Sequence, residues 1–77
     1  MRRERFTATQ ERLLRACLGD EFGRTVLRGG EHQAAYALQQ RKLVTTYTDD
    51  SSNTLCELVS TEAEERVRGA LGVDQET

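Results

Sequence analysis

The sequence predicts a small α+β domain in which three helices pack against a β-hairpin. Apolar residues recur at helical spacing in three stretches, about 8–18, 31–42 and 62–71. Two runs dense in β-branched and aromatic residues, 43–48 and 54–59, bracket five turn-favouring residues. Seventy-seven residues, 36% of them hydrophobic, supply one modest core and exclude a second domain. Nine leucines and five valines, with charges of mixed sign, set the chain apart from disordered compositions.

The first helix runs from Ala8 to about Leu18, with Leu13, Leu14, Cys17 and Leu18 on one stripe. Thr7 and Gln10 have the spacing of a capping box, and Gly19 and Gly23 supply stop signals. Phe22 is expected to cap the same core. Arg24-Thr-Val-Leu-Arg28 is too short to classify by period and reads equally as helical turns or a short strand. Gly29-Gly30 breaks the chain before a second helix, Glu31 to Lys42, built from good helix formers. On a helical wheel Ala34, Ala35 and Leu38 share one side, and Gln33, Tyr36 and Gln40 the other, with His32 beside them. That outward set is polar, uncharged and partly aromatic, an unusual composition for a face meant only for water.

Leu43–Thr48 and Thr54–Val59 form the hairpin around Asp49-Asp50-Ser51-Ser52-Asn53. The last helix carries Ala63, Val67, Ala70 and Leu71 on its apolar stripe. Ser60 and Thr61 are its N-cap candidates, Thr61 and Glu64 fit a capping box, and Gly72 ends it. The chain thus reads as a single domain, residues 1–77, with a folded core at 7–71, a basic N-terminal arm at 1–6 and a frayed tail at 72–77.

Charge is polarised along the chain although the net value is only -2. Residues 1–42 hold nine Lys/Arg against five Asp/Glu, and residues 43–77 hold two against eight, so the halves carry +4 and -6. Such a molecule can turn a positive face to nucleic acid or pair complementary faces between proteins. No apolar run approaches the roughly 18 residues of a membrane span, and the N-terminal residues lack the apolar stretch of a signal peptide, so a cytoplasmic protein is expected. Cys17 and Cys56 stand in no metal or redox spacing, and His32 is the sole histidine, so no metal or other cofactor is expected. Two buried free thiols are the expectation for the cysteines, with a Cys17–Cys56 disulfide as the minority alternative.

The string Leu38-Gln-Gln-Arg-Lys-Leu43-Val44, the polar hairpin tip, Leu58-Val59-Ser60-Thr61 and the closing helix resemble the MarR-like branch of the winged helix-turn-helix superfamily, over about residues 7–71. The resemblance implies a winged-helix fold, with residues 31–42 as the DNA recognition helix and 43–59 as the wing. It implies DNA- or partner-binding roles for Arg24, Arg28, His32, Gln33, Tyr36, Gln40, Arg41 and Lys42. Gln33 and Gln40 have amides suited to adenine edges, Tyr36 can reach phosphate or a thymine methyl, and Arg24, Arg28, Arg41 and Lys42 can neutralise phosphates. Arg2, Arg3 and Arg5 form an arm able to follow an adjacent groove. The wing tip instead carries Asp49 and Asp50, which phosphates repel.

Two functions follow as expectations. One is a small DNA-binding protein acting on double-stranded DNA, a transcriptional regulator, with a homodimer as an option. The other is a protein-interaction module on the same scaffold, such as a small acidic phage- or plasmid-encoded inhibitor of a host nucleic-acid-binding complex, of the anti-CRISPR kind. An enzyme is not expected, because no nucleophile, base and orienting group can be assembled from the residues. Catalytic residues are therefore expected to be none.

Overall fold

The computed structural model describes residues 5–72. It contains helices α1 (Ala8–Gly19), α2 (His32–Gln40) and α3 (Thr61–Leu71), and strands β1 (Arg24–Val26), β2 (Val44–Thr48) and β3 (Thr54–Leu58). The strands form one antiparallel sheet in the order β1-β3-β2.

Helix α1 starts where its capping box places it. The Thr7 hydroxyl accepts from the Gln10 amide at 3.1 Å, and the Thr7 amide donates to the Gln10 side chain at 3.0 Å, satisfying two otherwise orphaned donors. After α1, the Asp20 carboxylate accepts from the amides of Phe22 (2.7 Å) and Arg24 (3.3 Å) and turns the chain into β1. The turn leaves Phe22 64% exposed beneath the Arg24 guanidinium, so it does not cap the core as expected. Its ring stays outside because the Asp20 carboxylate fixes the Phe22 and Arg24 amides in the turn, where the ring pairs with the Arg24 guanidinium instead of the core.

Residues 24–26 resolve as the edge strand β1, paired with β3 through Arg24↔Glu57, Thr25↔Cys56 and Val26↔Leu55. The segment 27–31 then makes a tight turn in which Gly30 takes a positive φ of 86°. No helix separates β1 from α2, so the two-helix unit implied by a helix-turn-helix is incomplete: its first helix is replaced by β1 and this turn. Helix α2 is also shorter than the expected 31–42. Arg41 is its C-cap, and Lys42 adopts φ 65°, a left-handed conformation that reverses the chain into β2.

The β2–β3 hairpin closes on an Asp49 cap. The Asp49 side chain accepts from the Ser51 and Asn53 amides, each at 2.9 Å, while Ser52 takes φ 66°. Helix α3 is capped one residue earlier than the Thr61–Glu64 box predicts. The Ser60 hydroxyl accepts from the Ala63 amide at 3.0 Å, because extended backbone at Ser60 leaves Thr61 already helical. Glu64, freed from capping, binds Arg68 one turn on at 2.9 Å. Gly72 ends the helix with φ 73°.

Register assigns the faces of the sheet. Thr25, Cys56 and Thr46 form one cross-strand row, flanked by the Arg24–Glu57–Thr45 and Val26–Leu55–Tyr47 rows on the opposite face. The Cys56 side meets Leu13, Leu14 and Cys17 of α1, Ala35 and Leu38 of α2, and Ala63 and Val67 of α3 in one buried cluster with Leu27, Leu43 and Val44. Phe6 packs against that cluster, so the core begins one residue before the expected boundary at 7. Leu55 is 7% exposed yet stands outside the cluster, sheltered by its row neighbours Val26 and Tyr47. The molecule is therefore two-layered, helices on one side and an open sheet face on the other.

Candidate functional site

Helix α2 presents the surface that the wheel predicted. Ala35 and Leu38 are fully buried and Ala34 packs beside them, which turns Gln33, Tyr36 and Gln40 outward and leaves all three exposed. Tyr36, between Gln33 and Gln40 along the helix, is 52% exposed. None of the three has a side-chain hydrogen bond to the described residues. His32, at the first turn, is half-buried.

What orients this face is mostly missing from the sequence expectations. Glu31 is buried, and its carboxylate accepts from the Arg28 amide at 2.7 Å while meeting the Arg12 guanidinium of α1 at 2.9 Å. One carboxylate thus satisfies the turn before α2 and ties the start of that helix to α1. Near the other end, the Thr46 hydroxyl of β2 donates to the Gln39 side chain at 2.8 Å. The only signal for Glu31 in the sequence is a lone acid directly after Gly29-Gly30, which is too general to identify it.

The four basic residues expected to flank α2 do not form one ring around it. Arg24 lies on the open sheet face, where it stacks over Phe22 (4.9 Å to the ring centre) and donates to the Tyr47 hydroxyl at 3.2 Å. It stands away from the α2 surface it is expected to flank, because β1 lies at the opposite edge of the sheet from β2, the strand against which α2 packs. Arg28 is exposed just before α2 and, with Arg24 and Ala16, lines a groove of about 470 Å³ along the β1 edge. Arg41 covers the Phe6 ring at 4.4 Å and donates to the Arg5 carbonyl at 2.8 Å, so it also has a structural task. Lys42 projects from the turn after α2 and is exposed. Arg2 and Arg3 of the expected arm, like the tail 73–77, lie outside the described residues.

At the hairpin tip, Asp49 and Asp50 separate into different roles. The Asp49 carboxylate is occupied by the turn amides, whereas Asp50 is exposed. Among the described residues no three His, Cys, Asp or Glu side chains gather as a metal site requires. No helix among them is long and apolar enough to cross a membrane. No family model matches the chain, and no curated protein or solved structure gives a significant match.

Proposed function

We propose that this domain binds double-stranded DNA with the outward face of α2 and acts as a small transcriptional regulator. The layout is winged-helix-like, with α2 as the groove helix and the β2–β3 hairpin as a wing held back from the phosphates. The observation that carries this reading is the exposed row Gln33, Tyr36 and Gln40 on a helix whose opposite side is pinned to the core. Amide side chains read base edges in the major groove, and a phenol contacts phosphate or a thymine methyl. Arg28 before α2 and Lys42 after it supply cations at its two ends.

The test is fluorescence anisotropy with a random-sequence duplex pool across a salt series. Binding is expected to weaken steeply with salt, and Arg28→Ala or Lys42→Gly is expected to reduce the logarithmic slope by about one each. Arg24→Ala, on the open sheet face, is expected to leave the slope unchanged. Gln33→Ala combined with Gln40→Ala is expected to cost about 1–3 kcal/mol of discrimination among sequences per lost base contact. Absence of salt-sensitive duplex binding at micromolar protein removes this reading.

A second reading is favoured by the exposed carboxylate at the hairpin tip and the acidic second half of the chain. In it the domain is an interaction module that offers negative charge to a basic surface on a host nucleic-acid-binding complex. Asp50→Lys separates the two without disturbing the Asp49 turn. It strengthens duplex binding under the first reading and weakens capture of a basic protein partner under the second.

A further inference from the structure

The two cysteines are separated by 39 positions in sequence, yet their sulfur atoms lie 3.7 Å apart. Cys17 sits on the last turns of α1 and Cys56 at the centre of β3, the middle strand of the sheet, and both are fully buried. The Cys17 S–H also points at the Cys56 carbonyl oxygen, 3.6 Å away. The two cysteines are free and buried. Neither takes part in the surface assigned to binding.

We propose that Cys17 and Cys56 are a redox modification site, forming a reversible intramolecular disulfide by exchange with a low-molecular-weight disulfide such as oxidised glutathione. The balanced step joins the two protein sulfurs and breaks the glutathione S–S bond. Two electrons pass from the protein thiols to glutathione, and the two protons leave with two molecules of reduced glutathione. Exchange starts with attack by one protein thiolate on a glutathione sulfur, and the second protein sulfur then displaces the glutathione from the mixed disulfide.

Three observations support the site. The sulfurs need to close only from 3.7 Å to the roughly 2.0 Å of a disulfide, a movement within reach of small side-chain and helix adjustments. A cleft of about 340 Å³ between the end of α1, the turn at Phe22 and the flank of α3 has the buried Cys17 in its lining, so a small opening of that turn brings a reagent held there to the sulfur. The bond would join the first helix to the central strand and enclose β1, α2 and β2 between its ends, so it removes much freedom from the unfolded chain. The contact between the two sulfurs, followed by burial, pushes the Cys17 thiol up, while the same contact pushes that of Cys56 down; with both side chains fully buried, exchange is slow in the closed fold. Oxidation therefore proceeds through opening of the last turn of α1, which carries no basic residue against the helix dipole and closes on the single 3.2 Å bond from the Asp20 amide to the Cys17 carbonyl.

The experiment incubates the full chain in glutathione buffers of graded oxidised-to-reduced ratio, starting once from reduced and once from pre-oxidised protein. Samples are acid-quenched, alkylated and read by intact mass and peptide mapping. The expected result is a monomer lighter by two hydrogen atoms, unalkylated, with Cys17 and Cys56 in one linked peptide pair, formed while the glutathione pool is still mainly reduced. Its thermal midpoint is expected about 10–20 °C above that of the reduced chain. The proposal is overturned if both starting points converge on free thiols in a fully oxidised pool, on stable glutathione adducts, or on disulfide-linked dimers. It is also overturned if the linked form melts no higher than the reduced one. Cys56→Ala supplies the control, with Cys17→Ala as the alternative should one fail to fold. In either, oxidised glutathione is expected to leave a thiol or a single adduct with no rise in melting temperature.

Discussion

Helices α2 and α3 are similar in length but are held by opposite means. Helix α3 carries its own boundary chemistry: a Ser60 cap, Glu62 and Glu64 in the first turn, Arg68 in the last, and Gly72 in the left-handed position. Helix α2 has almost none of this. Glu31 makes no side-chain cap bond, the first turn has no acid and the last no base, and Lys42 rather than glycine takes the left-handed turn. Nine residues without caps do not persist as an isolated helix. Helix α2 depends on Leu38 and Ala35 in the core, Glu31 on Arg12, and Thr46 on Gln39. The contrast teaches that α2 is placed by its neighbours, and that Gln33, Tyr36 and Gln40 are not among the side chains that hold it.

Breaking this contrast begins with the largest effect. Leu38→Ala removes the fully buried anchor of α2 and is expected to cost about 2–5 kcal/mol in urea unfolding. If α2 were self-sufficient, circular dichroism of that variant below its transition would keep the helix signal with little loss of stability. Glu31→Ala comes next, at about 1–3 kcal/mol, because it strands the Arg28 amide in a half-buried turn. Glu31→Gln keeps an acceptor for that amide and loses only the pair with the largely exposed Arg12, so it is expected to cost less than half as much.

The smaller effects sharpen the comparison at the helix ends. Ser60→Ala is expected to cost about 1 kcal/mol and to speed hydrogen exchange at the Ala63 amide first, as the loss of a local cap should. Lys42→Gly is expected to stabilise by about 1 kcal/mol, since it relieves a left-handed side chain, and a raised urea midpoint with unchanged slope checks it. A fall in that midpoint would mean that the lysine stem contributes more packing than its exposure indicates.

Legibility in the sequence followed the range of the forces involved. Thr7 with Gln10, the Asp49–Asn53 turn and the Gly72 stop were readable because each acts within five residues of itself. Alternation of Ala34, Ala35 and Leu38 against Gln33, Tyr36 and Gln40 was readable because helical periodicity converts burial into spacing. The status of residues 24–28 was not, since a three-residue strand has no period and acquires its identity only from β3. The positions of Phe22 and Arg24 are not legible for the same reason: the Asp20 turn and the edge position of β1 decide where they point. Ser60 and Thr61 both satisfied the capping pattern, and the extended backbone arriving from β3 chose between them.

By itself, then, the sequence determined the three helices, the hairpin, the polarised charge and which face of α2 meets solvent. All of these rest on neighbouring residues, so chemistry only a few positions apart suffices to specify them. The tertiary structure alone decided that β1 joins the sheet, that Glu31 is buried against Arg12, that Arg24 leaves the α2 surface, and that Cys17 meets Cys56. Each of these unites residues far apart in the chain, and such a union gains its free energy only once the helices and the sheet have packed together.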